Sequence, residues 1–212
     1  MKKYVLIYGL LFFLMTSFTS DKSVWQKAYE HQNTKIYTRT TESGIKEFKA
    51  ITTVNASMKS VLAVMHDYKA HPDWMRAIDK CQLVKQETSK TRYLYYTIDM
   101  PWPLWDRDLV SKSTFYPQKD KSVLMKMEAA PTKKSKSKNH VRMISAKGYW
   151  LVSSISKSKT KVVYQYKADP NGISKTLVNM FLLEAPKATF VGLKKQVKLA
   201  KYKNADLTWL YD

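Results

Sequence analysis

The chain has 212 residues, enough for one domain with a sizeable core, and 44% of them are hydrophobic and 13% aromatic, which excludes a disordered tail. Lys and Arg number 37 against 17 acids, a formal +20 that favours anionic partners such as lipid headgroups, nucleic acid or polysaccharide, or simply keeps the chain soluble. Cys81 is the only cysteine, so no intramolecular disulfide and no cysteine-rich metal site can form.

The first twenty residues, MKKYVLIYGLLFFLMTSFTS, read as a secretory signal peptide: two lysines, an apolar run from Tyr4 to Met15, then small polar residues. That run spans roughly 18 Å as a helix against a hydrocarbon core of roughly 30 Å, so a permanent anchor is the weaker reading. Export to the periplasm or the exterior is expected, with cleavage between Thr19 and Asp21 and no lipid attachment, because no cysteine follows. One domain then occupies 21–212, where 35 basic residues face 17 acids.

Strand-like runs come next: WQKAYEH (25–31), KIYTRT (35–40) and, past Gly44, IKEFKAITTV (45–54). The period then changes. Val61, Leu62, Met65 and Tyr68 recur at three and four, with Asn55 or Ser57 placed to cap, and HPDWMRAID (71–79) reads as a second short helix with Pro72 near its start. Strands return at 81–87, 91–99, 107–116, 122–129, 140–154 and 160–169, separated by turn material at hairpin spacing, which argues an antiparallel sheet. PTKKSKSKNH (131–140) reads as a solvated loop first and an anion contact second.

Residues 174–203 read as one long helix kinked at Pro186. Its second half carries the stripe Phe190, Leu193, Val197 and Ala200, while Leu177 to Leu183 are apolar in nearly every direction and need cover on all sides. An α+β architecture follows: a curved antiparallel sheet of about nine strands, two short helices after the third strand, and the long C-terminal helix in the concave face. Such a sheet encloses more than one helix fills, so a cavity is expected.

Catalytic signatures are thin. Five glycines permit neither GxGxxG nor GxxxxGK[ST], and GxSxG and HExxH are absent. His66, Asp67, His71 and Asp73 form the one local cluster, but a spacing of five does not put two imidazoles on one helix face, so helix-end polar residues are the reading and no metal or other cofactor is expected. KGYWLVSS (147–154) only faintly echoes a base-stacking strand, and with a signal peptide ahead of it nucleic acid is not the expected partner. Fourteen Tyr, six Trp, seven Phe and ten Met suit instead a wall for a lipid-like molecule.

Two stretches carry a family resemblance. YYTIDMPWPLWDRDLVSKSTFY (95–116) resembles the central signature of START domains, the steroidogenic-acute-regulatory-related lipid-transfer family, in which a Pro-rich loop runs into an R-D-[FL]-V strand. YQYKADPNGISKTLVN (164–179) resembles their second signature, a strand ending in D-P-x-G before a helix opening with L-V-N.

The resemblance runs from about Val24 to Tyr202. It implies a helix-grip fold with an internal hydrophobic tunnel and a single bound lipid or other hydrophobic small molecule without catalysis; the charge adds a basic surface that favours anionic membranes, and a monomer is expected. Residues 100–106 then close the tunnel mouth, where Trp102, Leu104 and Trp105 act as a gate or membrane contact, or as a fixed latch on Leu177 and Phe181. Asp106, Arg107 and Asp108 fix the loop's exit.

Strand alternation gives the lining. Lys112 outside turns Leu109, Ser111, Ser113 and Phe115 inward; Lys167 outside turns Val162, Tyr164 and Tyr166 inward; and Leu94, Tyr96 and Ile98 face in from the fifth strand, with Arg92 set aside. Some sterol-carrying relatives have a buried arginine where this chain has Ser113, which leaves sterol in doubt. The alternative is a helix-grip enzyme such as a polyketide cyclase or aromatase, with Tyr96, Tyr164 or Tyr166 in acid–base roles.

Overall fold

Residues 24–211 are described by the structure, a computed structural model, so the expected signal peptide lies outside the described residues. Strands β1 (Gln26–His31), β2 (Thr34–Thr40) and β3 (Lys46–Val54) form a meander, and alternation sends Phe48, Ala50, Thr52 and Val54 into the core. Helix α1 (Met58–His66) follows, capped by Ser57, whose Oγ accepts from the Ser60 N–H at 3.1 Å; Val61, Leu62, Val64 and Met65 are buried along it. The second helix, α2 (His71–Trp74), is a single turn with Pro72 at its start.

The helix expected to continue to residue 79 does not. Met75 is extended, Ala77 has a φ of 65°, and Ile78 already pairs with Ile98. Strand pairing therefore overrides the local helical pattern.

Strands β4 (Ile78–Gln86), β5 (Thr91–Ile98), β6 (Arg107–Pro117), β7 (Val123–Ala129), β8 (Val141–Arg142), β9 (Ser145–Ser156) and β10 (Lys159–Asp169) complete a ten-stranded sheet. Its order is β1-β2-β3-β10-β9-β7-β6-β5-β4, antiparallel along that path, and the two residues of β8 pair parallel to β6. Position 140–154, expected as one strand, is thus split in two.

The C-terminal segment lies against the concave face as consecutive helices α3 (Lys175–Met180), α4 (Glu184–Gln196), α5 (Ala200–Lys203) and α6 (Thr208–Tyr211). The interruption falls at 181–183, not at Pro186. Proline in the first turn of α4 has no intrahelical partner to lose, so it opens a helix where a kink was expected. Phe190, Leu193 and Val197 are buried as the stripe required, but Ala200 is exposed because the chain turns extended at Leu199.

Full cover of the apolar segment is also not met: Met180 is 66% and Phe181 50% exposed, because α3 lies at one end of the molecule and does not thread the sheet. Helix α4 crosses α2 so closely that a Cβ on Gly192 would stand 2.4 Å from the Trp74 carbonyl oxygen.

Where the tunnel was expected the interior is largely filled. Trp150 stacks on Tyr164, centroids 3.9 Å apart, and meets Trp74 and Phe190 edge-on. The tail adds Tyr202, Leu207 and Leu210 to the same core, and Trp209 stacks on His66 at 3.8 Å. No helix among the described residues is long and apolar enough to cross a membrane.

Candidate functional site

Register builds the inner wall. Across β5 and β6, Arg92 stands opposite Ser113, Leu94 opposite Ser111 and Tyr96 opposite Leu109, all buried. Met125 and Met127 on β7 and Trp150 on β9 continue the wall toward Tyr164 and Tyr166 on β10. Between this wall and α1–α2 lies a cavity of about 10 Å³, room for a single water, lined by Met65, His71, Trp74, Met75, Arg92, Leu94, Tyr96, Ser113, Met125, Met127 and Trp150.

Polar groups gather at this cavity. His71 Nε2 lies 3.1 Å from the Met65 carbonyl oxygen and Nδ1 lies 3.1 Å from the Tyr96 hydroxyl. A carbonyl only accepts, so Nε2 carries the proton and Nδ1 accepts from Tyr96. Burial pushes His71 down to about 4, Cys81 up to about 12 and Tyr96 well above its ordinary range. All three are therefore neutral near pH 7.

Arg92 is the exception, charged and 3% exposed. Its Nη atoms donate to the His66 and Met65 carbonyls at 2.7 and 3.3 Å, the C-terminal end of α1, where a helix favours a cation. Tyr68 and Phe115 lie beneath its plane at 5.4 and 6.0 Å. Its Nε–H is buried without an acceptor, and among the described residues Arg92 has no carboxylate partner.

The loop between β5 and β6 marks one end of the molecule. Trp102 is 92% and Trp105 69% exposed, Leu104 is half-buried, and the Trp102–Pro103 peptide is cis. Asp106 accepts from the Met100 N–H at 3.0 Å, and Arg107 donates to the Trp105, Pro170 and Asn171 carbonyls, joining the loop's exit to the turn before α3. Asn179 pins α3 to the β2–β3 hairpin through the Lys46 N–H (2.8 Å) and the Gly44 carbonyl (3.1 Å).

Asp108 has the opposite parity to Leu109 and lies on the outer face of β6, covered by Arg142 and the 131–140 segment. It is fully buried and held by Arg142 Nε and Nη2 at 2.7 and 3.0 Å and by the Tyr95 hydroxyl at 3.0 Å. Burial alone would raise its pKa; the Arg142 and Tyr95 hydrogen bonds outweigh that and hold the carboxyl below the usual range. Arg142 also donates to the Pro131, Lys134 and Ser135 carbonyls, and Lys133 and Lys134 lie over Tyr93 and Tyr95. The 131–140 segment is a solvated loop with exposed lysines, as its composition suggests, and is also fastened onto the outside of β5.

Leu94, Tyr96 and Leu109 share one apolar cluster with Ile98 at its edge; Ser111 and Ser113 lie on the same face. Tyr164 sits in the larger cluster, and Tyr166 touches both. Trp102, Leu104, Trp105, Leu177 and Phe181 are not brought to this wall, and the exposure of both Trp102 and Phe181 leaves the fixed latch without support. Arg92 escaped sequence reasoning although it shares the parity of Leu94 and Tyr96, and composition offers the methionines as lining without singling out Met65, Met125 or Met127. His71, read as a helix-end residue, is 4% exposed inside the core because the single turn of α2 faces inward.

The START domain family matches residues 13–195. An uncharacterized protein of Pseudomonas aeruginosa is 30% identical over 172 residues, 80% of this chain and 85% of that protein. The crystal structure of a STAR-related lipid transfer protein (fragment 25-204) from Xanthomonas axonopodis superposes with a TM-score of 0.77 at 28% identity, covering 82% of this chain and 99% of that one. Human STARD10 shares the fold at a TM-score of 0.73 and 19% identity, over 82% and 72% of the two chains. So does the ZhuI aromatase/cyclase from Streptomyces sp. R1128, at 0.51 and 12%, over 71% and 90%. With its two signatures in order on β5–β6 and β10–α3 and the match running over most of its length, the chain belongs to the START domain family.

Proposed function

We propose that this chain is a non-catalytic carrier that holds one lipid or similar hydrophobic molecule between the sheet and the C-terminal helices, working outside the cytoplasm. The observation that carries this reading is a polar cluster, Arg92, His71 and Tyr96, buried at a small cavity in a wall of Leu94, Met65, Met125 and Met127, with the half-buried Cys81 beside His71. A core built only for stability would gain from apolar residues at such positions; polar groups with an unmet hydrogen bond suit a site that receives a guest. Methionine side chains shift at low cost, so a wall of this composition suits opening for a chain larger than the present cavity.

The end bearing Trp102, Trp105, Met180 and Phe181 is the proposed entrance and membrane contact, since indoles and exposed apolar side chains favour the bilayer interface. The N-terminal lysines and apolar run support export, and the excess of lysine suits anionic headgroups. The named lipid transfer protein from Xanthomonas axonopodis supports lipid as the cargo class.

The deciding experiment is native mass spectrometry of the purified mature protein with analysis of its organic extract. A stoichiometric lipid supports the carrier; a protein that carries none and takes up none from fluorescent-lipid vesicles sinks it.

One observation favours an enzyme: the Tyr96–His71 hydrogen bond is a proton-transfer pair inside the cavity wall, and an aromatase/cyclase shares the fold. Against it, burial drives the two pKa values far apart and away from neutrality, which is poor placement for acid–base exchange at pH 7.

A further inference from the structure

A second arginine in this protein demonstrates what the free edge of Arg92 lacks. Arg142 uses its Nε and Nη2 atoms side by side on Asp108, at 2.7 and 3.0 Å, the two-point geometry in which a guanidinium grips a carboxylate. The corresponding edge of Arg92 has a long 3.3 Å bond from Nη2 to the Met65 carbonyl and an Nε–H with no acceptor. Both arginines are buried to a similar degree, at 3% and 4% exposure. One has its carboxylate in the chain, and the other borders a cavity.

We propose that Arg92 is the recognition point for an acidic head: the ligand is a single-chain lipid acid whose carboxylate takes the Nε/Nη2 edge of Arg92, a proposal that rests on the lipid-carrier reading. Ser113, opposite Arg92 in register, lines the same space and adds a hydroxyl donor. Charge selects the head. His71, Cys81 and Tyr96 are neutral, so the cavity lining carries one positive charge, that of Arg92, which a monoanion cancels and a phosphate monoester overshoots. The tail would run among Met65, Met125, Met127 and Leu94, which are apolar and, for the methionines, adaptable.

Titration of the delipidated mature protein with oleate, methyl oleate and oleoyl lysophosphatidate, followed by tryptophan fluorescence, tests this directly. Oleate is expected to bind about tenfold or more tighter than its ester, the value of a charge-assisted pair, and tighter than the phosphate-headed lipid. In Arg92→Met the oleate preference is expected to fall to within about twofold while methyl oleate binding persists.

Equal affinity of the wild-type protein for oleate and methyl oleate would overturn the Arg92 assignment and leave the carrier intact, and so would a preference for lysophosphatidate. Uptake of none of the three would overturn the carrier reading itself. Should Arg92→Met fail to fold, the wild-type comparison decides, with Arg92→Lys as the second variant: it keeps the charge, loses the fork, and is expected to bind oleate between the other two.

Discussion

At the residue scale, two buried groups set opposite ends of an acid response. Asp108 holds Arg142, Tyr95 and, through Arg142, three carbonyls of the 131–140 segment. Asp108→Asn leaves a guanidinium buried without its counter-charge, and urea denaturation is expected to record a loss of about 3–5 kcal/mol.

Because its folded pKa lies below the unfolded one, Asp108 contributes fully above about pH 4 and loses its contribution as pH falls further. His71 acts at higher pH. Its folded pKa of about 4 lies below the unfolded value near 6.5, so the unfolded chain takes up the proton first and stability is lost as pH falls from 6.5 toward 4. Denaturation midpoints across that window are expected to fall, and His71→Gln is expected to flatten the slope by close to one proton.

Alternation made Leu109, Ser111, Ser113, Tyr96 and Tyr164 legible as inward residues. The same parity applied to Arg92, but a charged side chain is so rarely buried that residue type argued against position. What pattern cannot supply is the partner, and the α1 carbonyls that receive Arg92 come from a helix 26 positions earlier.

Elements show where local signals stop. Ser57, one of the two cap candidates the sequence offers, caps α1, Ser174 at the expected helix start is found to cap α3, and the loop of 100–106 falls between β5 and β6 as its prolines require. The break at 181–183 has no proline or glycine to announce it; the chain there leaves the helical path as α3 is tied to the β2–β3 hairpin through Asn179 while α4 packs on α2.

Two tests belong to these elements. Replacing Trp102 and Trp105 together by alanine removes side chains that support little of the fold, so thermal stability is expected to change by less than about 1 kcal/mol while partition onto anionic vesicles drops roughly tenfold. Gly192→Ala places a methyl against the Trp74 backbone, and an overpacking loss of about 1–3 kcal/mol is expected in chemical denaturation.

For the whole molecule, the layered plan of sheet around C-terminal helices was legible because consecutive strands separated by short turns admit few arrangements. The filled interior was not, since volume depends on how Trp150, Trp74, Phe190 and Tyr164 interlock, and nor was the packing of residues 202–210, which have too few periodic positions to declare a face. Net charge acts at this scale as well. The lysine excess predicts that binding to vesicles with anionic lipid exceeds binding to zwitterionic ones and weakens steeply between about 50 and 500 mM salt, because the screening length is only about 10 Å at 0.1 M.

The place of β10 in the sheet has one more consequence, for time. Strand β3 acquires its second neighbour only when β10 reaches it, with Val54 opposite Thr160 and Phe48 opposite Tyr166, so β1 to β3 wait with an open edge until nearly the whole chain has been synthesised. Closing so long a loop costs entropy before any contact rewards it, and topologies of this kind fold in milliseconds to seconds. A chain leaving the ribosome thus spends most of its synthesis with one side of β3 unpaired, the pliable state that the proposed export as an extended thread would use.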